Sequence, residues 1–444
     1  EILPEEEDLP VEEPPVEESE QEEVLQCTDD IGCVEVAPDE PILLASSLVI
    51  SGPNEQLGID SQRGVELALP YYGNVLGHAV ELHPEDAGCT AEGGRTSAQK
   101  IVSNPKIVAV VGTSCSDAGI PAAEIISEDG YAMVSPSNTS PALTDPAQAG
   151  QPGYYRTVHN DTMQGRAMAE FAFNELDVTR AAAIHEPYLY SEVLATSFAA
   201  AFEDLGGEIV AIEAEASDAT DVEPLLTSIA AAGPELIFYP VYTALGTLLT
   251  NTAREIPELE GVILSGADGM QNSDFLNNAS GAAEGLYISG PDLSFKASYY
   301  EAVFIPNYIE RYGSEPTAPF HAHAFDATNM ILTAVEEVAQ QGSDGTLLIG
   351  RQALRDALYE TEGFLGITGT LTCDENGDCA DPRIAVNQVQ NGEFVPVWSK
   401  SGWALEKSED VGEDTATTLI CEEPVRVGVI TDETGPLAVY GAHV

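Results

Sequence analysis

The chain has 444 residues, 43% of them hydrophobic, enough to bury the core of one large two-lobed body or of two to three ordinary domains. Its 75 acidic residues against 16 basic ones give a formal net charge of -59, a surface that repels nucleic acid and anionic membranes and excludes both as partners. No apolar run approaches the roughly eighteen residues that a membrane-spanning helix needs.

Residues 1–26 carry twelve acids and no base, with prolines at 4, 10, 14 and 15. Such a segment has too little apolar surface to fold, so a disordered acidic linker or tether is expected there. Residues 27–40 form a lead-in to the main body. It contains Cys27 and Cys33, and a second close pair, Cys373 and Cys379, lies far downstream. Neither pair has the two-residue spacing or the neighbouring histidines of a zinc site. Both are expected to close small disulfide loops, which places the chain in an oxidising, extracytoplasmic compartment. Cys421 is left over.

From residue 40 short apolar runs alternate with amphipathic stretches. The runs Ile42–Ile50, Ile107–Gly112, Tyr131–Val134, Ala181–Ile184, Leu236–Tyr239 and Val262–Leu264 predict strands. Helices are predicted over Ile59–Leu69, Arg95–Ser103, Ala118–Ser127, Met163–Leu176, Glu192–Leu205, Val222–Ala232 and Leu245–Arg254. This alternation predicts an α/β protein with doubly wound parallel sheets. Longer helices are expected over Tyr299–Tyr312, Ala324–Gln340 and Arg351–Tyr359, followed by strands between Gly369 and Val397. Residues 401–424 are expected to be a linker. Beyond it, Gly435-Pro-x4-Gly441 follows an apolar run, just as Gly52-Pro-x4-Gly58 does near the start. Residues 425–444 therefore predict the beginning of a second, similar domain, a tandem repeat.

Enzyme constellations fail one by one. Gly112-Thr-Ser-Cys-Ser116 has Ser116 where a nucleophile elbow needs its second glycine. There is no phosphate loop and no dinucleotide fingerprint after the first strand. His321 and His323 lack an obvious third metal ligand, so no metal is expected there. Asp374-Glu-Asn-Gly-Asp378 hints at a calcium loop but lacks the downstream bidentate glutamate and is bracketed by cysteines, which favours a stapled turn. No cofactor is expected. What remains are polar residues at the carboxyl ends of strands, where α/β sheets place their ligands. Ser116 opens a helix whose free N–H groups suit a carboxylate, and Ser137 and Thr139 follow the next strand. Each of these also suits an ordinary cap or turn.

Several segments, in order, carry a resemblance: Ser51-Gly-Pro-x4-Gly58, Gly64-Val-Glu-Leu-Ala68, Val110-Val-Gly-Thr-Ser-Cys-Ser116 and Val134-Ser-Pro-Ser-Asn-Thr-Ser-Pro-Ala-Leu-Thr144. Gly266-Ala-Asp-Gly269, Phe325-Asp-Ala327 and Gly369-Thr-Leu-Thr-Cys-Asp-Glu-Asn-Gly-Asp378 complete it. From Pro41 to about Pro396 the chain resembles the branched-chain amino-acid binding proteins of ABC transporters, the leucine/isoleucine/valine-binding family of type I periplasmic binding proteins. The resemblance implies two lobes, each a doubly wound parallel sheet, joined by a three-stranded hinge: 41–157 with 290–364, and 158–289 with 365–400. It implies a protein that captures an amino acid and presents it to an ABC permease, and that is not an enzyme. By the same resemblance Ser116 and Thr139 hold the ligand carboxylate, the Ser137 carbonyl and Asp268 take its ammonium, and Tyr190 and Tyr242 close over it. Cys89 and Cys115 match the family's first-lobe disulfide. Where the family often has an aromatic residue before the first-turn glycine, this unit has Leu57, although the second copy keeps Tyr440. That substitution predicts a wider or more apolar side-chain pocket. Two other roles share this pattern: a sensory receptor module, and a structural surface protein that self-assembles through tandem domains.

Overall fold

A computed structural model describes residues 25–294 and 299–402. The acidic segment up to residue 24, most of the 401–424 linker, Cys421 and the repeat-like 425–444 lie outside the described residues.

The apolar runs near the start assemble into a five-stranded sheet. Its order is Val80–Asp86, Ile42–Leu48, Ile107–Gly112, Ala132–Ser135 and Tyr154–Arg156, every pair parallel. A second sheet has seven strands in the order Glu393–Lys400, Ile384–Gln390, Tyr287–Pro291, Ile263–Ala267, Leu236–Phe238, Arg180–His185 and Glu208–Ala214. Its first two strands are antiparallel additions to a parallel core. Parallel strands need crossovers, and the intervening helices cover both faces, so central strands such as Ile107–Gly112 are buried along their whole length.

Ile42, Leu44, Leu48, Val108 and Val111 form one core with Ala324, Ala327, Ile331 and Val335 of the helix His321–Val338. In the second sheet Ala182, Ile184, Ile237, Tyr239, Leu264 and Ile288 pack to one side. Ala181, Leu236, Phe238 and Ala267 pack to the other, against Phe198 and Phe202. Alternate residues of one strand thus serve opposite layers.

The chain passes between the sheets three times: after Tyr154–Arg156, after Tyr287–Pro291, and on the way to Ile384–Gln390. The last passage falls later than the expected boundary near 364. Leu371 and Cys379 pack in the first core, and Asp326 accepts the Ile367 and Thr368 N–H groups at 2.8 Å each and the Thr368 hydroxyl at 2.7 Å. Residues 366–379 are therefore held on the first-sheet side.

Cys27–Cys33, Cys89–Cys115 and Cys373–Cys379 are all bonded. The last closes a turn in which Asp374 Oδ1 accepts the Asn376 and Asp378 N–H groups at 2.9 Å each, so that carboxylate serves the turn. His321 lies between Asp60 at 2.9 Å and the Tyr300 hydroxyl at 2.7 Å. Among the described residues no helix is long and apolar enough to cross a membrane.

Most predicted helices appear with earlier starts: Ile59–Leu69 becomes Glu55–Tyr72, and Ala324–Gln340 becomes His321–Val338. The predicted Met163–Leu176 is an α-helix to Glu170 that ends in a π turn, Phe171–Glu175. Strands Val80–Asp86 and Glu208–Ala214 are absent from the sequence-based reading. Both are sheet edges with half-exposed faces, carrying charged residues where central strands carry aliphatic ones.

Candidate ligand-binding site

The two sheets present the carboxyl ends of their strands to one cleft, and local sequence explains what each strand end offers. After Ile107–Gly112 the chain turns at Thr113–Cys115 and enters the helix Ser116–Glu128. Ser116 thus sits at a helix N-terminus, with its hydroxyl oxygen accepting the Ser140 N–H at 3.2 Å. After Ala132–Ser135 the loop folds back on Ser135, whose Oγ accepts the Asn138 N–H at 2.9 Å. Ser137 donates its hydroxyl to the Ser114 carbonyl at 3.0 Å, tying the two strand-end loops together. The Thr139 carbonyl accepts the Asp161 N–H at 2.8 Å.

Beneath this loop lies Arg156, fully buried. Its Nη1 donates to the Asn138 and Ser140 carbonyls at 3.3 and 2.8 Å, and its Nη2 to the Thr144 hydroxyl and Asp378 Oδ2 at 2.9 Å each. Its Nε also contacts Asp378 Oδ1. Arg156 therefore fixes the carbonyls on either side of Thr139. Sequence reasoning missed it, because nothing local distinguishes a buried arginine at the end of a strand.

From the second sheet, Asp268 follows the strand Ile263–Ala267. Its Oδ1 accepts the Tyr190 hydroxyl at 2.8 Å and Gln164 Nε2 at 2.8 Å. Gln164 is oriented in turn by His159 at 2.7 Å and by the Ser289 carbonyl at 3.0 Å. Tyr190 also accepts the Gly269 N–H at 3.1 Å. Tyr242 lies beside it, ring centroids 5.3 Å apart. Burial, reinforced by nearby carboxylates, pushes both phenols well above their usual range, so they stay protonated.

All seven residues singled out for binding line one cavity: Leu57, Ser116, Ser137, Thr139, Tyr190, Tyr242 and Asp268. Three others join them, Ser114, Gly269 and Phe320. The first two fall inside the quoted motifs. Phe320 has no sequence signal; it is placed by Asp60, whose Oδ2 accepts its N–H at 3.1 Å. Leu57 arrives because its neighbour Gly58 lies against Val49, where an added Cβ would stand 1.9 Å from the Val49 carbonyl oxygen. Between these ligand-free lobes the cavity measures about 10 Å³, room for about one water. The cleft is closed, with Leu57, Cys89 and Cys115 of one half packed in the same cluster as Tyr190 and Tyr242 of the other.

Two further carboxyl groups border the cleft. Asp161 is fully buried; its carboxylate faces the Thr139 hydroxyl, yet neither oxygen has a donor in good hydrogen-bond geometry. Desolvation raises it well above the usual carboxylate range. Glu186, which accepts the Tyr242 N–H, is pushed up to about 7 by burial, with Asp117 reinforcing the shift. A carboxyl group with a raised value stays protonated in the folded state while the unfolded chain ionises. Its contribution to stability is therefore lost as pH rises from about 4.5 through about 7. Glu186→Gln is expected to shrink the stability difference between pH 5 and pH 8 by about 3 kcal/mol at most, read from urea unfolding. An unchanged slope would remove Glu186 as its source. His323, held down to about 3 by burial, acts with the opposite sign and equally in both proteins.

A two-lobed α/β body, closed over hydroxyls and a helix N-terminus on one side and a carboxylate on the other, defines a hinged solute-binding protein. The family model described as "Periplasmic binding protein" matches residues 41–393, and the chain belongs to that family. Its fold is the type I periplasmic-binding fold, and the family is one of extracytoplasmic binding proteins rather than enzymes. A Leu/Ile/Val-binding protein homolog of Brucella melitensis is 25% identical over 350 residues, covering 78% of this chain and 90% of the relative. The leucine-, isoleucine-, valine-, threonine- and alanine-binding protein of Pseudomonas aeruginosa is 26% identical over 342 residues, covering 76% and 87%. A solved leucine-binding protein of Thermotoga maritima superposes with a TM-score of 0.73 at 25% identity, covering 81% of this chain and 99% of its own. A branched-chain amino-acid transporter substrate-binding protein of Streptococcus pneumoniae, solved with isoleucine, shares the fold with a TM-score of 0.70 at 22% identity, covering 81% and 99%.

Proposed function

We propose that this protein captures a small amino acid with an apolar side chain between its lobes and presents it to an ABC permease. The observation that carries the reading is the gathering of the seven residues around one cavity, with complementary chemistry on its two sides. Ser116, Thr139 and the N-terminus of Ser116–Glu128 suit a carboxylate, while Asp268 and the Ser137 carbonyl suit an ammonium. Leu57, Phe320 and the two tyrosine rings suit an aliphatic side chain. Because ligand partners come from both lobes, a bound amino acid favours closure around itself, with the lobes set wider than the ligand-free cavity of about 10 Å³, and release requires them to part further. The relatives named for leucine, isoleucine and valine binding support the same choice. The lobes are 41–157 with 290 to about 380, and 158–289 with the remainder to 400. The tandem and structural alternative rests on 425–444, outside the described residues, and gains no support here.

A thermal-shift screen against the twenty amino acids, with amides and aromatic acids alongside, tests the reading. At a hundredfold excess over its dissociation constant a ligand adds about 2.7 kcal/mol, a shift of a few degrees. Leucine, isoleucine and valine are expected to lead. A folded sample that responds to no amino acid would overturn the proposal.

A further inference from the structure

Two helices from opposite lobes begin close to each other across the cleft. Ser116–Glu128 starts on the first-sheet side and Leu189–Asp204 on the second. The N-cap residue of the latter, Tyr188, makes no side-chain capping bond. The cap comes instead from the other lobe: both Asp117 carboxylate oxygens accept the Leu189 N–H, at 3.1 and 3.0 Å. Asp117 also stands in the first turn of its own helix, so one carboxylate faces the positive ends of two helix dipoles. Another hydrogen bond, backbone to backbone, crosses the cleft from the Ser273 N–H to the Thr317 carbonyl at 3.1 Å. The helix Ser273–Ala279 already carries its own side-chain cap, Asn272, and so depends less on closure. Asp117 does not line the ligand cavity.

We infer that Asp117 is an interlobe clasp, a helix cap supplied in trans that forms only when the lobes meet and so sets the open–closed equilibrium. Opening the cleft leaves the Leu189 N–H to water and removes the carboxylate from between the two helix ends. Apparent affinity scales with the fraction of protein in the binding-competent state, so a residue that biases closure tunes affinity without touching ligand. This inference rests on the capture reading for its effect on affinity, but not for its effect on lobe separation.

The test uses the full chain with paired labels, introduced as unnatural amino acids at the exposed positions Glu124 and Glu203, one on each helix. Interlobe distance is measured without ligand, and L-leucine affinity by titration. Asp117→Ala is expected to lengthen the ligand-free distance and to weaken leucine binding about fivefold or more, the size of a lost helix cap. Asp117→Asn keeps an acceptor and loses the charge; it is expected to fall between, and it decides the matter if the alanine variant does not fold. Ser116→Ala is expected to weaken binding with the ligand-free distance unchanged, the pattern of a ligand contact. Should both Asp117 variants keep the parental distance, the clasp is wrong. Should the parent bind no leucine while Asp117→Ala still opens the lobes, the clasp stands and the ligand assignment fails.

Discussion

Asp268→Asn is expected to abolish the leucine-dependent thermal shift while leaving the ligand-free melting temperature within a few degrees of the parent. The hydrogen bonds that Asp268 accepts, from Tyr190 and Gln164, both end on Oδ1, which leaves Oδ2 for an ammonium. Asparagine can keep an oxygen for the two donors but lacks the charge. Removing one partner of a buried, hydrogen-bonded charge pair costs about 2–5 kcal/mol of binding, a loss of affinity between roughly thirtyfold and several thousandfold. Calorimetric titration separates this from a folding defect. If leucine binds the variant within a few-fold of the parent, Asp268 does not hold the ammonium and the ligand lies differently in the cleft.

Arg156→Met is expected to have the largest effect on stability of any change near the site. The side chain is fully buried and supplies donors to Asn138, Ser140, Thr144 and Asp378. Methionine fills much of the volume and supplies none of them, stranding the Asn138 carbonyl, leaving the Ser140 carbonyl only the Leu143 N–H at 3.3 Å, and leaving the Asp378 carboxylate without its cation. Breaking a fully buried pair costs about 3–5 kcal/mol; with the Asp378 side chain 26% exposed that is the upper limit here, measurable as a fall in the urea midpoint. Leucine affinity is expected to fall as well, since the two carbonyls that Arg156 holds flank Thr139. An unfolding free energy within about 1 kcal/mol of the parent would show that the loop holds its shape without Arg156.

Most central strands were legible in the sequence because parallel strands covered on both faces must be continuously apolar, and Ile107–Gly112 is found with the predicted limits; the central strand Tyr287–Pro291, broken by Ser289, Gly290 and Pro291, was not. Most edge strands were not legible. Val80–Asp86 includes His83 and Pro84, and its pairing with Ile42–Leu48 is a long-range fact that leaves little local trace. The late third crossing was hidden for a similar reason: Asp326, in the middle of a helix, reaches over to hold Ile367 and Thr368.

By itself the sequence determined the class of fold, the Cys27–Cys33 and Cys373–Cys379 loops and the strand-end residues Ser116, Ser137 and Thr139, because periodicity, cysteine spacing and strand-end position are local properties; Asp268, Tyr190, Tyr242 and the Cys89–Cys115 bond were legible only through the family resemblance. Only the tertiary structure decided how those residues are supported and what closes over them. Arg156 under the Thr139 loop, Gln164 behind Asp268, Phe320 at the cavity wall and Asp117 across the cleft all act on partners remote in sequence. A buried charge or a trans cap is defined by what surrounds it, and that environment exists only once both lobes are folded and brought together.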